Sequence, residues 1–226
     1  MEKVIERKMD KDTKPSRWPI VLFFVFCIVT VGGTGLMALG YISVKMPFRS
    51  YSIPSASMEP TLHIGEVLFA NMRAFDGQEP ARGDLVVFKL PRDSSTVYIK
   101  RVIGLPGEKV QMKKGILHID GQAVPTVDAG TYTATEESKA GKLKRETLPN
   151  GVSVVTLDLM DNGFYDDTPV YQVPQGHYFM LGDNRDNSSD SRVLSQVGYV
   201  PRANIVGRVA RVFWSPDLSR IGTRPQ

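Results

Sequence analysis

Three stretches of this chain carry residue types that could break a covalent bond. The first is Tyr51-Ser52-Ile53-Pro54-Ser55-Ala56-Ser57-Met58-Glu59-Pro60-Thr61-Leu62. It packs three serines into six residues, beside two prolines. Each proline holds the residue before it in extended geometry, so Ile53 and Glu59 are turned away from helix. A serine in so irregular a stretch can be presented to a ligand, although the same composition suits an ordinary Ser/Pro connector. The second is Tyr98-Ile99-Lys100-Arg101-Val102-Ile103-Gly104-Leu105-Pro106-Gly107. Alternate residues of a strand share a face, so Lys100 points with Tyr98 and Val102 while Ile99 and Arg101 point the other way. A lysine among apolar neighbours is desolvated and its pKa falls; the plainer outcome is a packed stem with its ammonium in water. The third is Gly182-Asp183-Asn184-Arg185-Asp186-Asn187-Ser188-Ser189-Asp190-Ser191-Arg192, in which every residue is glycine, charged, or bears a hydroxyl or amide. It suits a solvated loop, or one folded on itself through Asp–Arg pairs. Its Asp/Asn content resembles a Ca²⁺ loop, but the acidic twelfth ligand and flanking helices of an EF-hand are missing.

A serine nucleophile needs a base within hydrogen-bond reach. His63, His118 and His177 are scattered, and none sits in a relay-like polar motif or an H-E-x-x-H pair. Neither a histidine base nor a metal site is expected. Lysine can serve only as the neutral amine. Lowering its pKa from about 10.4 to about 7–8 means destabilising the ammonium by about 3.5–5 kcal/mol. Burial in an apolar site could do that. On the residues alone, the choice of serine stays open.

The elements that must position these groups can be read from the pattern. Residues 1–18 are polar and slightly basic, a tail placed in the cytoplasm. No charge falls between Trp18 and Val44, and 19–41 reaches the roughly 20 apolar residues of a membrane-spanning helix. Trp18 and Tyr41 sit where interfacial aromatics belong, and Arg17 with the lysines before it places the N-terminus inside and residues 45–226 outside. Beyond residue 60 come short β-branched runs at Glu66–Asn71, Asp84–Leu90, Thr96–Ile103, Lys109–Met112, Ile116–Asp120, Val152–Met160, Tyr178–Leu181 and Ile205–Trp214. These read as strands, with Pro106-Gly107, Gly115 and Asp120-Gly121 as turns. Arg82–Phe88 reads as a structural turn into a buried strand. The outer part is therefore mainly β, a small barrel or coiled sheets, with a core at 45–120 and 171–216. The Thr/Glu/Lys-rich segment 121–170 reads as an insertion or cap. A net charge of only +4, with no basic stripe, gives no sign of nucleic acid. The single cysteine, Cys27, excludes an intrachain disulfide.

Taken together, the anchor, "SxSMxPTL", "YIKRVIGLPG" and "GDNRDNSSDSR" resemble the bacterial type I signal peptidases, membrane-bound Ser/Lys enzymes that cut signal peptides from exported preproteins. The resemblance covers the anchor and about residues 50–120 and 177–214. It implies a β fold of the signal peptidase/LexA type. Ser57 matches the nucleophile, Lys100 the general base, and Ser188 the hydroxyl that orients the lysine. The Ser57 amide and the Ser55 hydroxyl match the oxyanion hole. Asp183, Arg101, Asp190 and Arg192 match an ionic scaffold. Tyr51, Ile53, Leu62 and Ile99 match shallow pockets that select small residues at the first and third positions before the cut. The implied partners are signal-peptide-bearing preproteins and membrane lipid, with no cofactor and no nucleic acid; a monomer is the simplest expectation, and the oligomeric state stays open. Two other activities fit the same residues: a peptidase dedicated to pilin or conjugation substrates, and a self-cleaving membrane-anchored regulator. Ala56 stands where many members have glycine, a small departure.

Overall fold

A computed structural model describes residues 47–133 and 139–225. The expected tail and span, 1–18 and 19–41, lie outside them. Among the described residues no helix is long and apolar enough to cross a membrane.

The described chain is almost wholly β. Its strands are β1 (Phe48–Ser52), β2 (Val67–Asn71), β3 (Leu85–Lys89), β4 (Val97–Gly104), β5 (Lys109–Lys113), β6 (Ile116–Ile119), β7 (Gln122–Ala123), β8 (Thr126–Tyr132), β9 (Gly141–Thr147), β10 (Ser153–Asp158), β11 (Tyr171–Gln172), β12 (His177–Leu181), β13 (Val200–Pro201) and β14 (Ile205–Trp214). The helical pieces are 3₁₀ turns of three residues, at Ala56–Met58, Arg202–Asn204 and Leu218–Arg220. All eight runs read as strands from the sequence form strands. Those not foreseen are mostly short or exposed: β7, β11 and β13 have two residues each, and β1, β8 and β9 bury few side chains. A strand with little burial carries no clean alternation to read.

The strands form three antiparallel groups, ordered β1-β2-β14-β3-β4-β12-β13, β10-β9-β8 and β11-β5-β6-β7. The seven-stranded sheet curls into a half-barrel. Register shifts on β14, between Ile205 and Gly207, Val209 and Arg211, and Val212 and Trp214, mark bulges, which increase twist and bend the strand. Asp120-Gly121 links β6 to β7 in two residues, both at positive φ (49° and 80°), as the favoured hairpin turn requires.

Two apolar clusters flank β4. Phe88, Val102, Tyr178, Met180 and Val200 pack on one side. Ile53, Met58, Leu62, Leu68, Leu85 and Val212, with Ile99 against them, pack on the other. A third joins the β5–β6 hairpin to β12 through Val110, Leu117 and Phe179, and takes in Leu148 and Val154. Segment 121–170 thus contributes side chains to this apolar core, as well as the sheet β8–β10.

Candidate active site

The chemistry gathers where the loop after β1 meets β4. Beyond Ser52 the chain turns at Pro54 and enters the 3₁₀ turn Ala56–Met58, which buries Ala56 and Met58 and leaves Ser57 between them half-buried. Lys100 lies in the middle of β4, paired to Val86 of β3. Its Nζ is 2.6 Å from Ser57 Oγ and 3.2 Å from Ile99 O. It also sits 5.4 Å from the Tyr98 ring centroid, so Tyr98 and Lys100 share a face as alternation requires.

Lys100 is 3% exposed. Burial is the main cause that brings its pKa down from 10.5 to about 8; Asp190 and Asp183 pull it up and Arg192 lowers it. Each of the two acids is itself paired. Asp183 takes the Arg101 guanidinium at 2.8 and 2.6 Å and the Thr61 hydroxyl at 2.6 Å. Asp190 takes Arg192 at 2.8 Å on each oxygen and the Gly182 N–H at 3.0 Å. Among the described residues, no carboxylate forms an ion pair with Lys100. Arg101 points away from Lys100 along β4 and is 1% exposed, where it pairs with Asp183.

Ser55 Oγ lies 3.3 Å from Ser57 Oγ and donates to it. Ser188 is buried, with its hydroxyl turned to the Asp190 carboxylate rather than bonded to Lys100. It is nonetheless close to the pair. A Cβ built on Gly182 would fall 2.2 Å from Ser188 Oγ and 2.4 Å from Ser57 O, so Gly182 lies directly between those two residues.

A groove of about 440 Å³ opens over Ser57. Tyr51, Ile53, Ser55 and Met58 line it from one side, Val97, Tyr98, Ile99 and Lys100 from β4, and Asn187 and Ser189 from the third stretch. Three of the four expected pocket residues are there. Leu62 is not: it is fully buried beneath the groove, among Ile53, Met58 and Leu68. No His/Cys/Asp/Glu cluster able to hold a metal occurs among the described residues, and His63 instead contacts Pro60 O at 3.1 Å.

Several residues of the site were not singled out from sequence. Thr61 bonds the Asp183 carboxylate. Arg220, near the C-terminus, pairs with the fully buried Glu66 and donates to Thr61 O at 2.8 Å, tying the end of the chain to the serine loop. Asn184 bonds the serine turn itself. It stands in the third stretch, where its neighbours drew notice by charge and hydroxyls alone; the other contacts are between residues more than 100 apart and leave no local pattern.

A hydroxyl beside a desolvated amine, at the floor of an apolar-sided groove, is an arrangement that can activate oxygen for attack on a carbonyl. Comparison with known proteins gives the class first. The Peptidase_S26 family, described as "Signal peptidase, peptidase S26", matches residues 18–214, which makes the chain a serine hydrolase that cuts peptides. The signal peptidase I of Rickettsia typhi is 35% identical over 87% of this chain and 79% of its own, and that of Rickettsia akari 34% identical over 93% and 83%. A solved signal peptidase I from Enterococcus faecalis V583 aligns with 58% of this chain and 97% of its own, at 26% identity and a TM-score of 0.34. The chain belongs to the signal peptidase I family.

Proposed function

We propose that this protein removes N-terminal signal peptides from exported preproteins, after a small-x-small sequence, through a Ser57/Lys100 dyad and an acyl-enzyme. The observation that carries the reading is the 2.6 Å separation of Ser57 Oγ and the buried, carboxylate-free Lys100 Nζ. The neutral amine takes the Ser57 proton as Oγ attacks the carbonyl carbon. The tetrahedral oxyanion is held by the Ser57 N–H and by Ser55, whose hydroxyl turns from Ser57 Oγ toward it; each strong donor contributes about 3–4 kcal/mol. Lys100 then returns the proton to the leaving amine as the peptide bond breaks. In the second half the same amine draws a proton from water, which attacks the ester and frees Ser57. The buried Ser188 hydroxyl, beside Ser57 and facing Asp190, suits the task of accepting an N–H of Lys100 and orienting its lone pair. Tyr51, Ile53 and Ile99 leave shallow apolar walls suited to small side chains, and need no cofactor.

The reading extends to place. Residues 19–41 anchor the chain once in the cytoplasmic membrane, with the tail inside and the β domain outside. The exposed apolar side chains Phe48 on β1 and Phe213 and Trp214 on β14, with the Phe213 ring tilted against Phe69 at a centroid distance of 4.5 Å, suit contact with a bilayer surface.

The test is cleavage of a preprotein by the full chain in detergent. Ser57→Ala and Lys100→Met should be inactive. Lys100→Arg should be as inactive as Lys100→Met, because a guanidinium keeps its proton. The wild-type rate should fall as pH drops through about 8, as Lys100 becomes protonated. Near-normal cleavage by Lys100→Arg would exclude the neutral-amine mechanism.

A further inference from the structure

Both peptide units that flank Ser57 are held by one residue, Asn184. Its Nδ2 donates to Ala56 O at 3.1 Å, and its backbone N–H donates to Ser57 O at 3.3 Å. The Ala56–Ser57 peptide is trans, and a trans peptide is a flat plate whose C=O and N–H point in opposite directions. Holding Ala56 O therefore aims the Ser57 N–H. Holding Ser57 O fixes the next plate. Two fixed plates define φ and ψ of Ser57, and with them the direction in which its Cβ and Oγ leave the backbone.

The grip comes from outside the turn. Ala56 O also accepts from Glu59 N–H at 3.1 Å, but that bond lies within the turn and moves with it. Asn184 is 1% exposed, and its Oδ1 accepts from Asn187 N–H at 3.1 Å. The oxygen is thus committed to Asn187 and the NH₂ to Ala56. Its neighbours are stitched to the sheet β8–β10. Leu157 N–H donates to Asp183 O at 2.8 Å and Arg185 N–H to Leu157 O at 2.9 Å. The Arg185 guanidinium lies on both oxygens of buried Glu146, at 2.5 and 2.7 Å.

We infer that Asn184 is the positioning residue of the nucleophile turn: by pinning the two peptide units around Ser57, it aims the oxyanion-binding N–H and the attacking hydroxyl without touching substrate. This rests on the Ser57/Lys100 reading. A misplacement of about 1 Å in a reacting group can cost about 100-fold in rate, whereas the groove walls at Tyr51, Val97, Tyr98 and Ile99 stand on β1 and β4, outside the turn.

The experiment uses the full chain in detergent and three probes: a peptide with a small-x-small cleavage site, the matching peptide aldehyde, which forms a tetrahedral adduct on a serine, and the corresponding peptide alcohol, which does not. Asn184→Ala should lower kcat by roughly 10- to 100-fold, with KM within about twofold. Aldehyde affinity should fall by a similar factor while alcohol affinity holds, and the acid limb of kcat/KM should stay at its wild-type pH, since Asn184 does not touch Lys100. Asn184→Asp keeps the acceptor for Asn187 but loses the donor to Ala56, so it should be impaired at least as much; it also carries the test should the alanine variant fail to fold. Wild-type kcat in either variant overturns the inference. So does parallel loss of aldehyde and alcohol binding, or a displaced acid limb, each the mark of a groove that has merely collapsed. Ser57→Ala in the same assay separates the two levels. If it still cleaves, the dyad reading falls and this inference with it; if it is inactive and only the Asn184 variants behave otherwise than expected, the dyad reading stands.

Discussion

Replacing Lys100 by methionine should destroy activity and yet stabilise the fold at neutral pH. In the folded state the Lys100 pKa is about 8 against an ordinary 10.5. Below about pH 8 the folded and unfolded chains both carry the ammonium, and the fold bears the full cost of burying it. As pH rises from 8 to 10.5 the folded chain releases its proton first, so the unfolded state binds more protons and stability increases. Above 10.5 the cost is gone. The gap between the two pKa values corresponds to about 3 kcal/mol, with no discount for solvent because the residue is 3% exposed. Methionine has similar length and no charge, but it forfeits the hydrogen bonds to Ser57 Oγ and Ile99 O, each worth about 1 kcal/mol net. Lys100→Met should therefore be more stable than wild type by about 1 kcal/mol at pH 7, and less stable at pH 10.5. Calorimetric melting of both proteins at matched pH checks this, because every other titration is common to the two and cancels. The difference in Tm, variant minus wild type, should fall by about 6–12 °C between pH 7 and 10.5, at roughly 2–4 °C per kcal/mol for a domain of this size. A difference that does not change with pH would refute the claim that Lys100 is desolvated and unpaired.

Other outcomes follow from the same geometry. Gly182→Ala should abolish or nearly abolish preprotein cleavage, because the new methyl would meet Ser188 Oγ at 2.2 Å and Ser57 O at 2.4 Å; activity within a fewfold of wild type would mean that the two segments can part freely. Asp183→Ala leaves the Arg101 guanidinium buried without its carboxylate and should cost about 3–5 kcal/mol of stability, seen as a lowered denaturation midpoint. An unchanged midpoint would show that Arg101 finds water or another acceptor there.

The sequence alone determined much of this. Residue types and order marked the serine loop, the lysine strand and the polar loop, because each is a local pattern: prolines beside serines, a lysine inside an apolar run, an unbroken polar segment after a strand. Alternation on β4 put Lys100 with Tyr98 and turned Arg101 away, which the structure bears out. The buried strands were legible because burial writes hydrophobic residues into them; the exposed β8 and β9 were not, since little there is selected by packing.

Tertiary structure decided the rest. Ser57 is brought 2.6 Å from Lys100 across 43 positions of chain, and no local signal encodes that meeting. Leu62 sits beneath the groove rather than in its wall because the turn that follows Ser57 folds it into the cluster with Ile53 and Leu68. Above all, whether a lysine is an ammonium or a base depends on how much water the fold removes from it and on which arginines occupy the nearby acids. Arg101 on Asp183 and Arg192 on Asp190 are long-range or buried pairings, and only the folded chain forms them.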